Sequence, residues 1–162
     1  MTRLNDTCPV CGMKVDIAVP SVEHYKMFFH FCSGQCRETF VAHPNLYSAK
    51  LGQERDEIFK QRTMRLTDPL DKEMTELLIA YLMVMMGVKK VAVEAEKVHI
   101  TYDLLQVTEL QIETALVEIG VQLGGDWMEQ LRRAWVHDSE EIELDNLAAP
   151  PAPCPNRPPP GA

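Results

Sequence analysis

Residues 86–103 read MGVKKVAVEAEKVHITYD. Val91, Val93 and Ala95 alternate with charged or small residues, and Val98, Ile100 and Tyr102 do so again. A period of two gives each strand one apolar face, so this stretch predicts a β-hairpin. Upstream, Met74, Leu77, Leu78, Tyr81, Leu82 and Met85 recur at helical spacing, and Gly87 supplies the stop. Before that helix, Met64 and Leu66 flank Arg65 and predict a short strand. Downstream, Thr108-x-x-Gln111 is a capping box that opens a helix with Ile112, Ala115, Leu116 and Ile119 on one face. Gly120 closes it, and Val121–Leu123 predicts a last strand. The order over residues 62–124 is βαββαβ, the ferredoxin-like plan.

The first helix of this unit carries a second apolar stripe, Ile79, Met83 and Met86. One face on a sheet does not need it, so the stripe predicts packing against the N-terminal block or a twin subunit. A methionine copper site is the sharper alternative, but methionine more often fills gaps in cores.

The N-terminal block holds four of the chain's five cysteines, in CPVCGM (8–13) and HFCSGQC (30–36). The spacing is Cys-x2-Cys, then 20 residues, then Cys-x3-Cys. Two residues between thiolates let both sulfurs face one ion, and Gly12 can take the positive φ that such a knuckle needs. The run to His30 is rich in Val, Tyr and Phe and suits a hairpin. Cys32 precedes a helix over SGQCRETFVAH that ends before Pro44, and Cys36 lies in its first turn, where the helix dipole favours a thiolate. Knuckle, hairpin and helix-borne ligands make a treble-clef-like arrangement with Cys8, Cys11, Cys32 and Cys36 as ligands of one ion. A thioredoxin-like redox pair would need a βαβ setting, which is lacking here. Thiolates accept Zn(II) and Cu(I) alike, so the ligand set leaves the metal open. A block this small has little core of its own, which ties its folding to the ion. His30 and Cys154 are secondary candidates. His30 could replace a displaced cysteine or sit beside the ligands. Cys154 reads as a free surface thiol or as an arm that hands over a soft metal. His24 and His43 read as surface residues.

The expected organisation is an α+β chain: a metal-binding domain over 1–47, a linker over 48–61, the ferredoxin-like domain over 62–124, and a C-terminal helix and Pro-rich tail over 125–162. Asp126-x-x-Glu129 caps that helix, and Trp127, Leu131 and Trp135 are expected to pack on the body. The acidic DSEEIELD (138–145) reads as a solvated face.

Net charge is −8, yet residues 1–50 carry five Lys/Arg against four Asp/Glu, so the acidity lies beyond them. No basic stripe is present, which argues against nucleic-acid binding. The longest apolar run, LLIAYLMVMMGV (77–88), is too short for a bilayer, which needs about 20 residues. The N-terminus lacks the apolar core of a secretory signal. These features give the expectation of a cytoplasmic protein without membrane insertion, whose clustered cysteines serve metal or redox chemistry rather than disulfides.

Residues 6–47 resemble the YHS/TRASH metal-binding domains, through CPVCGM and through Phe31, Cys32, Ser33, Cys36, Phe40, Pro44 and Tyr47. Two positions depart from the pattern: His30 stands where an aromatic residue is usual, and Lys26 where a glycine is. Residues 62–124 resemble heavy-metal-associated (HMA-like) domains, which hold Cu(I) through Cys-x2-Cys after their first strand. Here that loop reads TDPLDKE (67–73), without cysteine. The resemblance implies an accessory protein of heavy-metal homeostasis, copper first, with zinc or mercury next. Its partners would be a metal-transport ATPase or another thiol-bearing metal protein.

Two functions follow as expectations: trafficking or buffering of a soft metal through the four cysteines, or an adaptor with a structural zinc that binds a partner or a second copy through the first helix of the ferredoxin-like domain. A transcriptional sensor is weaker for want of a DNA-binding surface. No nucleophile–base constellation suggests an enzyme, and a solvated strand face accounts for His99 and Asp103.

Overall fold

The computed structural model describes residues 7–15, 21–48 and 56–150. Cys154 and residues 49–55 of the expected linker lie outside them. Strands β1 (Ser21–His24) and β2 (Met27–His30) form an antiparallel hairpin closed by Tyr25 and Lys26. Both turn residues have positive φ, 49° and 61°. A two-residue turn matching the strand twist requires this, and glycine or asparagine adopts it more readily. Lys26 therefore occupies a left-handed position without being glycine. Helix α1 (Gly34–Ala42) starts at Ser33, whose hydroxyl accepts the Cys36 N–H, and α2 (Pro44–Ser48) follows directly.

The second unit begins with β3 (Phe59–Arg65), followed by α3 (Lys72–Val84), β4 (Val88–Glu94), β5 (Lys97–Asp103) and α4 (Glu109–Glu118). The sheet is antiparallel, in the order β3-β5-β4. Its apolar face, with Met64, Val98, Ile100 and Tyr102 buried, packs on Leu78 and Leu82 of α3 and Ile112 and Leu116 of α4. The hairpin read from residues 86–103 is β4–β5. Asp71 caps α3, and Thr108 and Gln111 form the reciprocal capping box of α4.

Three expectations need correction. First, β3 begins at Phe59, inside the stretch read as linker, because Phe59 to Arg65 pair residue for residue with Asp103 to Lys97. Second, Val121–Leu123 does not form a strand; Leu123 makes one isolated bridge with Leu66. Gly124 presses its backbone on Leu66, where a Cβ would meet the Leu66 carbonyl oxygen at 2.6 Å, and Gly125, at φ 115°, turns the chain away. Third, the final helix α5 (Trp127–Ala148) continues through the acidic run. It buries Val136, Glu140 and Leu144, which share one face at i, i+4, i+8. Trp127, Leu131 and Trp135, one position earlier and so rotated about 100°, point outward; the tryptophans are 70% and 69% exposed.

Helix α5 is held to β3 by ion pairs from Lys60 to Glu143 (2.7 Å) and from Arg62 to Glu140 (3.5 Å). Buried Glu140 also accepts the Tyr102 hydroxyl and the Glu109 N–H at the start of α4. A second core joins all the segments: Phe29, Phe31, Phe40, Leu46 and Tyr47 meet Leu104, Leu105 and Leu144. Of the α3 stripe, Met86 enters this core, Ile79 packs on the first, and Met83 stays exposed. No helix of the described residues is long and apolar enough to cross a membrane.

Candidate metal centre

The knuckle is built as its residues dictate. Gly12, at φ 74°, lets the chain reverse, so that its N–H donates to the Cys8 carbonyl and the Cys8 N–H donates to Met13 (both 2.8 Å). Thr7 and Lys14 then pair as a bridge. The other two cysteines flank the start of α1. Cys32 follows β2, and Cys36 occupies the third position of the helix, its N–H held by Ser33.

All four sulfurs lie within 4.8 Å of one another. Cys11 and Cys32 are 3.1 Å apart and Cys32 and Cys36 3.6 Å apart, sulfur to sulfur. A tetrahedral ion at about 2.3 Å from each sulfur would set them about 3.8 Å apart, so the cluster fits one such ion after small adjustments. Cys8 and Cys36 are buried, whereas Cys11 and Cys32 are half-buried, so the cluster has an inner and an outer side.

Cys8, Cys11 and Cys36 perturb one another's ionisation. Hydrogen bonds from Cys11 and then Cys36 hold Cys8 far below the ordinary thiol range. Cys11 is pushed up to about 12: the hydrogen bond with Cys36 pulls it down, but Cys8 and burial together outweigh it. Cys36 is pushed far up, by Cys11, then Cys8, then burial. One thiolate is favoured, and further negative charge is opposed until a cation compensates it. Such a donor set suits a thiophilic ion.

Among the described residues, the sulfur cluster contains no histidine. His30 stays outside because it alternates with buried Phe29 and Phe31 and so faces the other way; its Nδ1 is buried without a hydrogen-bond partner. His24 is half-buried, stacked edge-on against Tyr25. His43, read as a surface residue, is 7% exposed, at the end of α1. Asp103 is likewise no solvated group: it is buried and accepts the Ile58 and Leu105 N–H groups. The sequence reading also passed over Gln35, beside the cluster. Its side-chain amide donates to the Met86 carbonyl (2.9 Å) and accepts the Met86 N–H (3.2 Å), tying α1 to the end of α3.

No protein-family model matches the chain, and no curated protein matches it. Three solved structures are similar to part of it. Oxidized MerP from Ralstonia metallidurans CH34 is 14% identical over 41% of this chain and 96% of its own, with a TM-score of 0.39. The CsoZ metallochaperone is 18% identical over 42% of this chain and 100% of its own, with a TM-score of 0.39. A protein from Bacillus anthracis str. Ames, provisionally assigned as copper-ion-binding, is 18% identical over 43% of this chain and 100% of its own, with a TM-score of 0.40.

Proposed function

We propose that this chain binds one soft transition-metal ion through Cys8, Cys11, Cys32 and Cys36 and traffics or buffers it, copper first, with zinc or mercury as alternatives. The observation that carries this reading is the two-sided cluster: four sulfurs within 4.8 Å, two buried and two half-buried. Metal passes between thiolate sites by ligand exchange, in which an incoming thiolate binds before a resident one leaves. The buried Cys8 and Cys36 would keep the ion while Cys11 and Cys32 are replaced from outside. A metal-transport ATPase or another thiol-bearing metal protein is the matching partner. The TDPLDKE loop of the ferredoxin-like unit has no thiol to offer, which leaves that unit for docking or self-association through α3.

The second reading is an adaptor whose zinc is structural. It is favoured by one observation: Cys8 and Cys36 belong to the same buried core as Leu104, Leu105 and Leu144, so the ion would brace the whole chain. Native mass spectrometry of protein purified anaerobically, before and after Cu(I) delivered from a competing chelator, separates the two. Replacement of the resident ion with the fold kept, lost in Cys8→Ser or Cys36→Ser, supports trafficking. A single zinc that Cu(I) fails to displace sinks trafficking and leaves the adaptor.

A further inference from the structure

A second constellation lies where the cysteine block meets the C-terminal helix. His43 ends α1, with its backbone N–H returned to Thr39. Glu141 and Asp145 stand one turn apart on α5, at i and i+4, and so share a face. The His43 Nε2 atom lies 3.2 Å from Glu141 Oε1 and 3.4 Å from Asp145 Oδ1.

These contacts fit an ion better than a hydrogen bond. His43 is more than nine-tenths buried, and its Nε2 has no hydrogen-bond partner although two carboxylates face it. A charge-assisted N–H···O bond would be about 2.7–2.9 Å long, with the proton aimed at one oxygen. Around a tetrahedral zinc, with bonds of about 2.0–2.1 Å to nitrogen and oxygen, neighbouring ligand atoms stand about 3.3 Å apart. The two observed separations bracket that edge. All three ligand atoms lie within 4.8 Å of one another.

We infer that His43, Glu141 and Asp145 form a second metal site, distinct from the cysteine cluster, for a divalent first-row ion, zinc first. One imidazole and two carboxylates form a harder donor set than four thiolates and favour Zn²⁺ over Cu(I). Three protein ligands leave a fourth position for water or a partner's side chain. Both carboxylates are largely exposed, so that position faces solvent. An ion here pins α5 to the end of α1, whether or not the cysteine site exchanges its own metal.

The test is a zinc titration of the full chain, followed by calorimetry and native mass spectrometry in excess Mg²⁺, which occupies carboxylate-only sites without competing for imidazole. Two zinc ions are expected per chain, and one in Glu141→Gln/Asp145→Asn. Both substitutions are on the surface and leave the cysteines untouched. Titration with Co²⁺ assigns the ions: the cysteine site gives strong sulfur-to-metal charge transfer, and the second equivalent adds none. In His43→Gln the second equivalent should bind at least tenfold more weakly. A single zinc in the unaltered chain that Co²⁺ places on sulfur, or a second one that survives the double substitution at unchanged affinity, overturns the site and leaves an ion pair only.

Discussion

The Tyr47 hydroxyl, at the end of the cysteine block, donates a 2.6 Å hydrogen bond to the Leu105 carbonyl, beyond the last strand of the ferredoxin-like sheet. Both residues are buried in the core that contains Cys8 and Cys36. The four-cysteine cluster is thus seated on the ferredoxin-like unit. Tyr47→Phe keeps the ring and removes the donor, leaving a buried carbonyl short of a partner, which costs roughly 1–3 kcal/mol. Urea unfolding should show a lower midpoint with an unchanged slope. An unchanged midpoint would mean that this bond does not couple the two parts.

Glu140 is the polar counterpart of that junction. Its carboxylate receives Tyr102, the Glu109 N–H and Arg62, from β5, α4 and β3. Glu140→Leu would leave the buried Tyr102 hydroxyl and Glu109 N–H without a partner, at a cost of roughly 1–3 kcal/mol each, while Arg62 keeps its ion pair with Glu109. Glu140→Gln, which keeps an acceptor of the same shape, should cost markedly less. Thermal unfolding of the pair measures the difference. Equal losses would show that the carboxylate's charge, rather than its shape, fixes α5.

Much of this was readable in the chain itself, because it depends on local chemistry. Gly12, the capping box at Thr108 and Gln111, and the alternation from Val91 to Tyr102 each act within a few residues, and each lies where it was expected. The readings that failed depend on distant partners. No local signal shows that Gly124 will press on Leu66 and reduce the expected last strand to one bridge. Helical periodicity pointed to the Trp127–Leu131–Trp135 face of α5 and not to the second, Val136–Glu140–Leu144, which carries a carboxylate. The second is buried because Glu140 finds Tyr102, a pairing across 38 residues. His43 looked like a surface histidine for the same reason: Glu141 and Asp145 are remote in sequence and seemed part of a solvated run. Only the i, i+4 spacing of the two acids hinted at a shared target.

Gly87 tests the turn that separates α3 from β4. It has φ of 90°, and a Cβ there would lie 2.7 Å from the Gln106 Cβ and 3.0 Å from the Val107 Cγ1. Gly87→Ala therefore combines left-handed strain, worth about 1–2 kcal/mol, with a clash against the loop that leads into α4. A loss of at least that size in chemical denaturation is expected. Gly120→Ala, also at positive φ but with open space around its Cβ, should suffer the strain alone.

Glu109 gives the pH dependence a sign. Burial first, then the negative charge of Glu140, raises its carboxyl above the usual range, although Arg62 opposes this. A raised folded-state value means that its stabilising share is complete below the unfolded value and is lost as pH rises through the folded one. Glu109→Gln cannot ionise and escapes that loss. The stability of Glu109→Gln relative to the unaltered chain should therefore rise between pH 4 and pH 7. The cysteine cluster is common to both proteins, so its own proton competition cancels from the difference. A gap that is constant or narrows with pH, measured from urea midpoints, would contradict the assignment.

The two sides of the sulfur cluster predict unequal cysteine variants. Cys8 is fully buried beside Val10 and Phe31, while Cys11 is half-buried. Serine at either position removes a thiolate, so Cys8→Ser and Cys11→Ser should both weaken metal retention against a chelator. Without metal they should diverge. A hydroxyl at position 8 must find a partner inside a core or cost roughly 1–3 kcal/mol, whereas at position 11 water can reach it. Stripping the metal from the unaltered chain should raise hydrogen exchange first over residues 7–15 and 30–36. The end of α5 should follow, since Leu144 closes the same core, while β4 and β5 stay protected. Uniform exchange across all these segments would mean that the ion braces the chain as one unit, which favours the adaptor. Graded exchange would leave the outer sulfurs free to part from the metal while the body stands, as ligand exchange requires.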